Sequence, residues 1–156
     1  MKLIYMITSP KNKSGFTLVE TLVVINLGLL ISVTAIAIFV SGLKQIQSAR
    51  NLTDLHSNAI FLSNTINYWV KQGKNLSLPS PDVLEITLPD SSFKMITREN
   101  NNLTIDGSVF NLNNIEVTQL SFDKLEKSVR ISFTLSMKES GETFSLKTTI
   151  SQRNNL

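Results

Sequence analysis

The stretch "SGFTLVETLVVINLGLLISVTAIAIFV", residues 14–40, decides the fold. From Phe16 to Val40 the only ionisable side chain is Glu20, and no proline interrupts the run. At ~1.5 Å per residue, a helix of that length crosses the ~30 Å hydrocarbon core of a bilayer. A secretory signal peptide has an apolar core of only ~7–15 residues, followed by a small-residue cleavage site. Here the run is longer, and its far end, Phe39-Val40-Ser41-Gly42-Leu43, offers no such site. A buried core helix of a soluble protein is the other rival, and apolarity on every side over this length argues against it. Residues 16–42 are therefore expected to form a transmembrane segment. Lys2, Lys11 and Lys13 stand ahead of it and no acid does. The positive-inside bias then keeps the N-terminus in the cytoplasm and sends the rest of the chain outside.

The same three lysines account for the whole net charge of +3, so the chain after them is formally neutral. That argues against a broad nucleic-acid surface, which needs clustered cations. No cysteine occurs, which excludes disulfides and thiolate metal sites.

Beyond the apolar run the helical pattern continues through "LKQIQSARNLTDLHSNAIFLSNTINYWV", residues 43–70. Leu52, Leu55, Ala59, Leu62, Ile66 and Trp69 recur at spacings of three or four, one face of a 3.6-period helix. Asp54, Ser57, Asn58, Ser63, Asn64 and Asn67 fall between them. Lys71 suits a helix C-terminus, and Gly73 is expected to close it in a left-handed conformation. One nearly continuous helix from about Phe16 to Gln72 follows, with Gly28 and Gly42 as places where it could loosen. "LSLPSPD", residues 76–82, reads as a linker.

From there the period is two. "VLEITL", "SFKMITR", "NLTIDGSVFNL", "IEVTQLSFDKL", "SVRISFTLSM" and "ETFSLKTTISQ" are short runs rich in β-branched and aromatic residues. Asp106-Gly107 suits a type I′ hairpin, and "KESGE" should close the last two strands. Val129, Ile131, Phe133, Leu135 and Met137 alternate with polar residues, so one face of that strand is dry. The expected fold class is α+β: a long N-terminal helix, half membrane segment and half amphipathic, packed on one antiparallel sheet.

Few residues suggest chemistry. His56 is the only histidine and has no second ligand type near it in sequence. Asp82, Glu85, Asp90, Glu99 and Asp106 lack the spacing of a calcium loop. No nucleophile elbow, phosphate loop or zinc helix motif is present. Neither an enzyme nor a metal or other cofactor is expected. Trp69, beside Tyr68, reads as core.

The order of basic leader, Gly15, Phe16, Thr17, Leu18, Glu20 and about twenty further apolar residues resembles the processing motif of type IV pilins and pseudopilins. The long helix and β-rich head are similar to that family in architecture. The last strands are similar to minor, J-like or W-like pseudopilins. Two departures, no mid-helix proline in "ISVTAIAIF" and no cysteine pair, suit a minor subunit better than a major one. The resemblance implies a leader over 1–15, a transmembrane and assembly helix over 16–42 and a pilin-like head over 43–156. It implies cleavage by prepilin peptidase between Gly15 and Phe16, and N-methylation of Phe16. The chain would then be a structural subunit of a type IV pilus, type II secretion pseudopilus or competence pilus. Its partners would be other pilin or pseudopilin subunits, the peptidase, and membrane lipid before assembly.

Two residues keep alternatives open. Gly15 could be the helix N-cap. Glu20 could simply complement its own helix dipole, or it could pair with the Phe16 amine of a neighbouring subunit and fix the assembly register. The competing function is a single-pass membrane-anchored protein whose extracytoplasmic head binds a ligand or DNA. Its cations, among them Lys94, Arg98, Lys124, Arg130 and Lys147, are interleaved with acids.

Overall fold

The computed structural model describes residues 15–152. The lysines of the basic leader lie outside the described residues. Helix α1 spans Leu18–Gln72, and Gly28 and Gly42 fall within it without a break. It ends where the stripe and Lys71 indicate. The chain divides into two compact units, one ending at Lys44 and the other beginning at Gln45.

In the first unit the apolar side chains are exposed, from Leu18 through Val40. This stretch is long and apolar enough to cross a membrane, and none of it is buried inside the protein. Two of its hydroxyls are satisfied within the helix. The Ser32 hydroxyl donates to the Gly28 carbonyl at 2.7 Å and Thr34 to that of Ile31 at 2.8 Å. Such back-bonding removes the cost of an unpaired hydroxyl in hydrocarbon.

The second unit is α+β. After the helix come β1 (Asn75–Ser80), β2 (Val83–Thr87), β3 (Phe93–Glu99), β4 (Asn102–Ile105) and β5 (Ser108–Val109). They form one antiparallel sheet in sequence order. Strands β6 (Ile115–Leu125), β7 (Ser128–Met137) and β8 (Thr143–Ser151) form a second. The expectation of a single sheet is thus corrected to two. The break falls at Phe110–Asn114, where the Asn111 side chain is buried and fully used. It accepts from the Leu103 N–H at 2.8 Å and donates to the Ile115 carbonyl at 2.6 Å. The chain leaves the first sheet on one side of this amide and enters the second on the other.

The "linker" is also corrected. It contributes β1, an edge strand that buries Leu76 and tolerates Pro79 because the pairing bulges between Ser77 and Ser80. The hairpins follow turn chemistry. Asn100-Asn101 and Asp106-Gly107 are two-residue loops with φ of 50°, 61°, 51° and 78°, the type I′ pattern. In β6 an extra residue between Val117 and Gln119 shifts the register. Ile115 and Val117 before the bulge, and Leu120 and Phe122 after it, all reach the core.

One core joins both sheets and the helix. Leu55, Ala59, Leu62, Ile66 and Val70 supply the helical wall. Leu52 is exposed and Trp69 half-buried, so the stripe runs to Val70 instead. At one end of this wall the β7–β8 turn holds the helix, with Asn51 Nδ2 donating to Ser140 Oγ at 3.1 Å. The Ser48 hydroxyl, ahead of the Asn51 amide and the Ser140 hydroxyl, holds the Glu142 carboxyl below its usual range against the effect of burial. At the other end Gly73 is not left-handed, contrary to expectation. A Cβ there would stand 2.4 Å from Ile86 Cγ2, so close approach of backbone to β2 requires glycine.

Gly73→Ala is therefore predicted to destabilise a head fragment beginning at Gln45 by about 1–3 kcal/mol through overpacking. In an Ile86→Ala background the extra cost should fall below about 0.5 kcal/mol, since the clashing methyl is gone. Urea unfolding of the four proteins in the cycle checks this, and equal costs in both backgrounds would refute the contact.

Candidate functional site

The residues singled out in the sequence, Gly15, Phe16 and Glu20, lie together at the start of α1. Gly15, Phe16 and Thr17 precede the helix and Leu18 is its first residue. The Gly15–Phe16 peptide bond is thus non-helical. Among the described residues nothing lies within 4 Å of a Cβ built on Gly15, and Phe16 is 79% exposed. A protease needs backbone that is open and free of helical hydrogen bonds, and this bond has both properties.

Thr17, not Gly15, is the N-cap. Its carbonyl accepts the first intrahelical bond, from the Thr21 N–H at 3.1 Å. Its hydroxyl oxygen accepts from the Glu20 N–H at 3.2 Å. In return Glu20 Oε2 accepts from the Thr17 N–H and from the Thr17 hydroxyl, each at 3.1 Å. This reciprocal arrangement is a capping box, the Thr-x-x-Glu pattern. It satisfies two backbone donors that a helix start otherwise leaves orphaned, and it places the anion at the positive end of the dipole. The sequence signal for it is the Thr-x-x-Glu spacing of "TLVE", which the lone charge of Glu20 in an apolar run overshadows.

The other polar candidates have packing roles. His56 meets Phe144 edge-on, with ring centroids 5.2 Å apart. Trp69 packs on the core, with Lys94 Nζ 5.3 Å from its ring centroid. Lys94 is also ion-paired with Asp106. Burial works against the Asp106 carboxylate, but Lys94 and the Met95 N–H outweigh it and keep its pKa low. Among the described residues no group of three or more His, Asp or Glu side chains is placed to hold a metal ion.

No family model matches this sequence, and neither a curated protein nor a solved structure matches it.

The cap makes a local prediction. Thr17→Ala should loosen the first turn by about 0.5–2 kcal/mol. Amide exchange at Glu20 in micelle-embedded protein should speed up by roughly 2- to 30-fold, while amides around Ile31 stay unchanged. An unaltered Glu20 amide would show that the hydroxyl does not cap.

Proposed function

We propose that this chain is a minor pilin or pseudopilin, a structural subunit of a type IV filament system. In this reading prepilin peptidase removes residues 1–15, the new Phe16 amine is methylated, and the apolar helix moves from the inner membrane into a filament. The head lies outside the cytoplasm throughout. The observation that carries the reading is the exposed, non-helical Gly15–Phe16 bond directly ahead of a capped, membrane-length helix. The basic leader, the single acid at Glu20 and the α+β head support it.

Processing is tested by mass. The mature protein should begin at Phe16 with a methylated amine. Intact-mass and N-terminal peptide measurement on membranes decides it. A mature chain retaining Lys11 and Lys13, or one cut beyond Val40, would overturn the proposal.

Glu20 needs a sharper test, because the capping box gives it a role in its own helix. Gln can replace Glu in a capping box, so Glu20→Gln keeps the cap and removes only the charge. Glu20→Ala removes both. If the carboxylate pairs with a neighbour's Phe16 amine, both variants should insert and be cleaved normally but enter filaments poorly. Leaving one ion of a buried pair uncompensated costs about 3–5 kcal/mol, roughly 100-fold or more in an equilibrium. If capping is the whole role, Gln should assemble like wild type and only Ala should fall short. The measurement is the fraction of processed protein recovered in sheared or crosslinked filaments, and normal incorporation of the Gln variant would refute the pairing.

A further inference from the structure

The two sheets have four outer edges, and three are closed. β1 carries Pro79 and a bulge. β5 is two residues long. The outer edge of β6 is used, its Val117 and Phe122 N–H groups donating to the Asn101 and Pro81 carbonyls at 2.7 Å each. β8 differs on every count. It is nine residues long, contains neither proline nor glycine, and pairs with β7 without a register shift. Among the described residues, none of its backbone groups bonds to anything besides β7. A long, straight edge of this kind is a template for another strand.

We propose that the open edge of β8 receives an extended strand from a different protein, with an acidic side chain opposite Lys147. The side chains flanking the edge specify the incoming strand. Phe144 and Leu146 lie on the helix side and are only half-buried, so an added strand with apolar residues in alternate positions would cover them. On the opposite face Ser145, Lys147 and Thr149 are exposed. Inward of the edge a groove of about 650 Å³ crosses β6, β7 and β8, and its lining includes hydroxyls and the cations Arg98 and Lys147 but no carboxylate. Its charge suits an acid.

The position of Lys147 disfavours a second copy in full-length register as the occupant. Lys147 is the central residue of Thr143–Ser151. Antiparallel pairing of two β8 strands over their full length would set Lys147 directly against Lys147, and like charges at opposed positions are destabilising. A slip of one residue would set Lys147 against Leu146, mixing the wet and dry faces. A slip of two leaves the strand ends unpaired. An acid from another chain avoids all three. This inference stands on the head alone and does not depend on the filament reading.

The test uses the full chain in detergent micelles and two synthetic peptides of nine residues, alternating Thr and Val around a central Glu or a central Lys. Hydrogen exchange is followed by mass spectrometry. The Glu peptide should slow exchange across residues 143–151, with an apparent affinity about three- to tenfold above that of the Lys peptide. Lys147→Glu, an exposed change that leaves the core untouched, should reverse the order. Failure of the Glu peptide to slow exchange in β8 of the wild-type protein overturns the proposal, as does protection confined to another strand. Equal protection by the two peptides in wild type and variant overturns the role of Lys147.

Discussion

The head depends on one row of side chains on one helix. Leu55, Ala59, Leu62, Ile66 and Val70 are each at most 1% exposed and face both sheets. Neither sheet has a dry partner of its own. The three-stranded sheet turns Ile131, Phe133 and Leu135 inward, and the first sheet turns Leu84, Ile86 and Ile96 inward. Burying a large aliphatic side chain is worth about 1.5–3 kcal/mol. The helical row alone therefore matches in size the ~5–15 kcal/mol net stability of a whole domain. Within this region Asn58 is 5% exposed, and its Oδ1 has no hydrogen-bond partner among the described residues. Nothing in the structure explains that.

Joining two sheets through one core raises a second problem, the polar backbone at their seam. The solution is to let hairpin turns act as acceptors. Asn101 is held at φ 61° by its two-residue turn, and its carbonyl takes the Val117 N–H. Pro81, in the β1–β2 turn, takes the Phe122 N–H. Lys124 reaches back to the Leu76 carbonyl at 2.7 Å. Arg98 donates to the carbonyl of Thr118, the bulge residue of β6, at 2.7 Å. These four backbone groups at the break between sheets are each met by a turn or a long cation. Turn chemistry thus sets more than the reversal of the chain; it fixes where the second sheet can sit.

Much of this was legible. The helix end at Gln72, the type I′ turn at Asp106-Gly107 and the strand spans of β6 and β7 follow from period and turn residues, which are local properties. What was not legible is non-local. The division into two sheets turns on what the Asn111 amide finds on either side of it, and a single buried Asn carries no periodic signal. β1 looks like a linker in sequence because two prolines outweigh the alternation of Leu76 and Leu78, and only its edge position makes Pro79 tolerable. Gly73 looked like a helix-closing residue, yet its reason is Ile86, thirteen positions away. At the helix start the residues Gly15, Phe16 and Glu20 stood out at once. Thr17 did not, because a capping threonine is inconspicuous beside a lone carboxylate.

That threonine changes how Glu20 is to be understood. All three hydrogen bonds of the capping box that involve the carboxylate or the Glu20 N–H run through Oε2 or the Thr17 hydroxyl. Oε1 takes no part in them. The cap therefore fixes the carboxylate in orientation through Oε2, and among the described residues Oε1 takes no hydrogen bond. On the proposed reading this matters twice. Before cleavage the cap and the dipole lower the cost of keeping an anion at the edge of the hydrocarbon. After assembly a neighbour's amine would meet a carboxylate already held by its own helix. The entropy of ordering that side chain has then been met in the free subunit and need not be met again on pairing. On that reading capping and pairing would be successive uses of two oxygens of one group, which is why a substitution that spares the first and removes the second is the informative one.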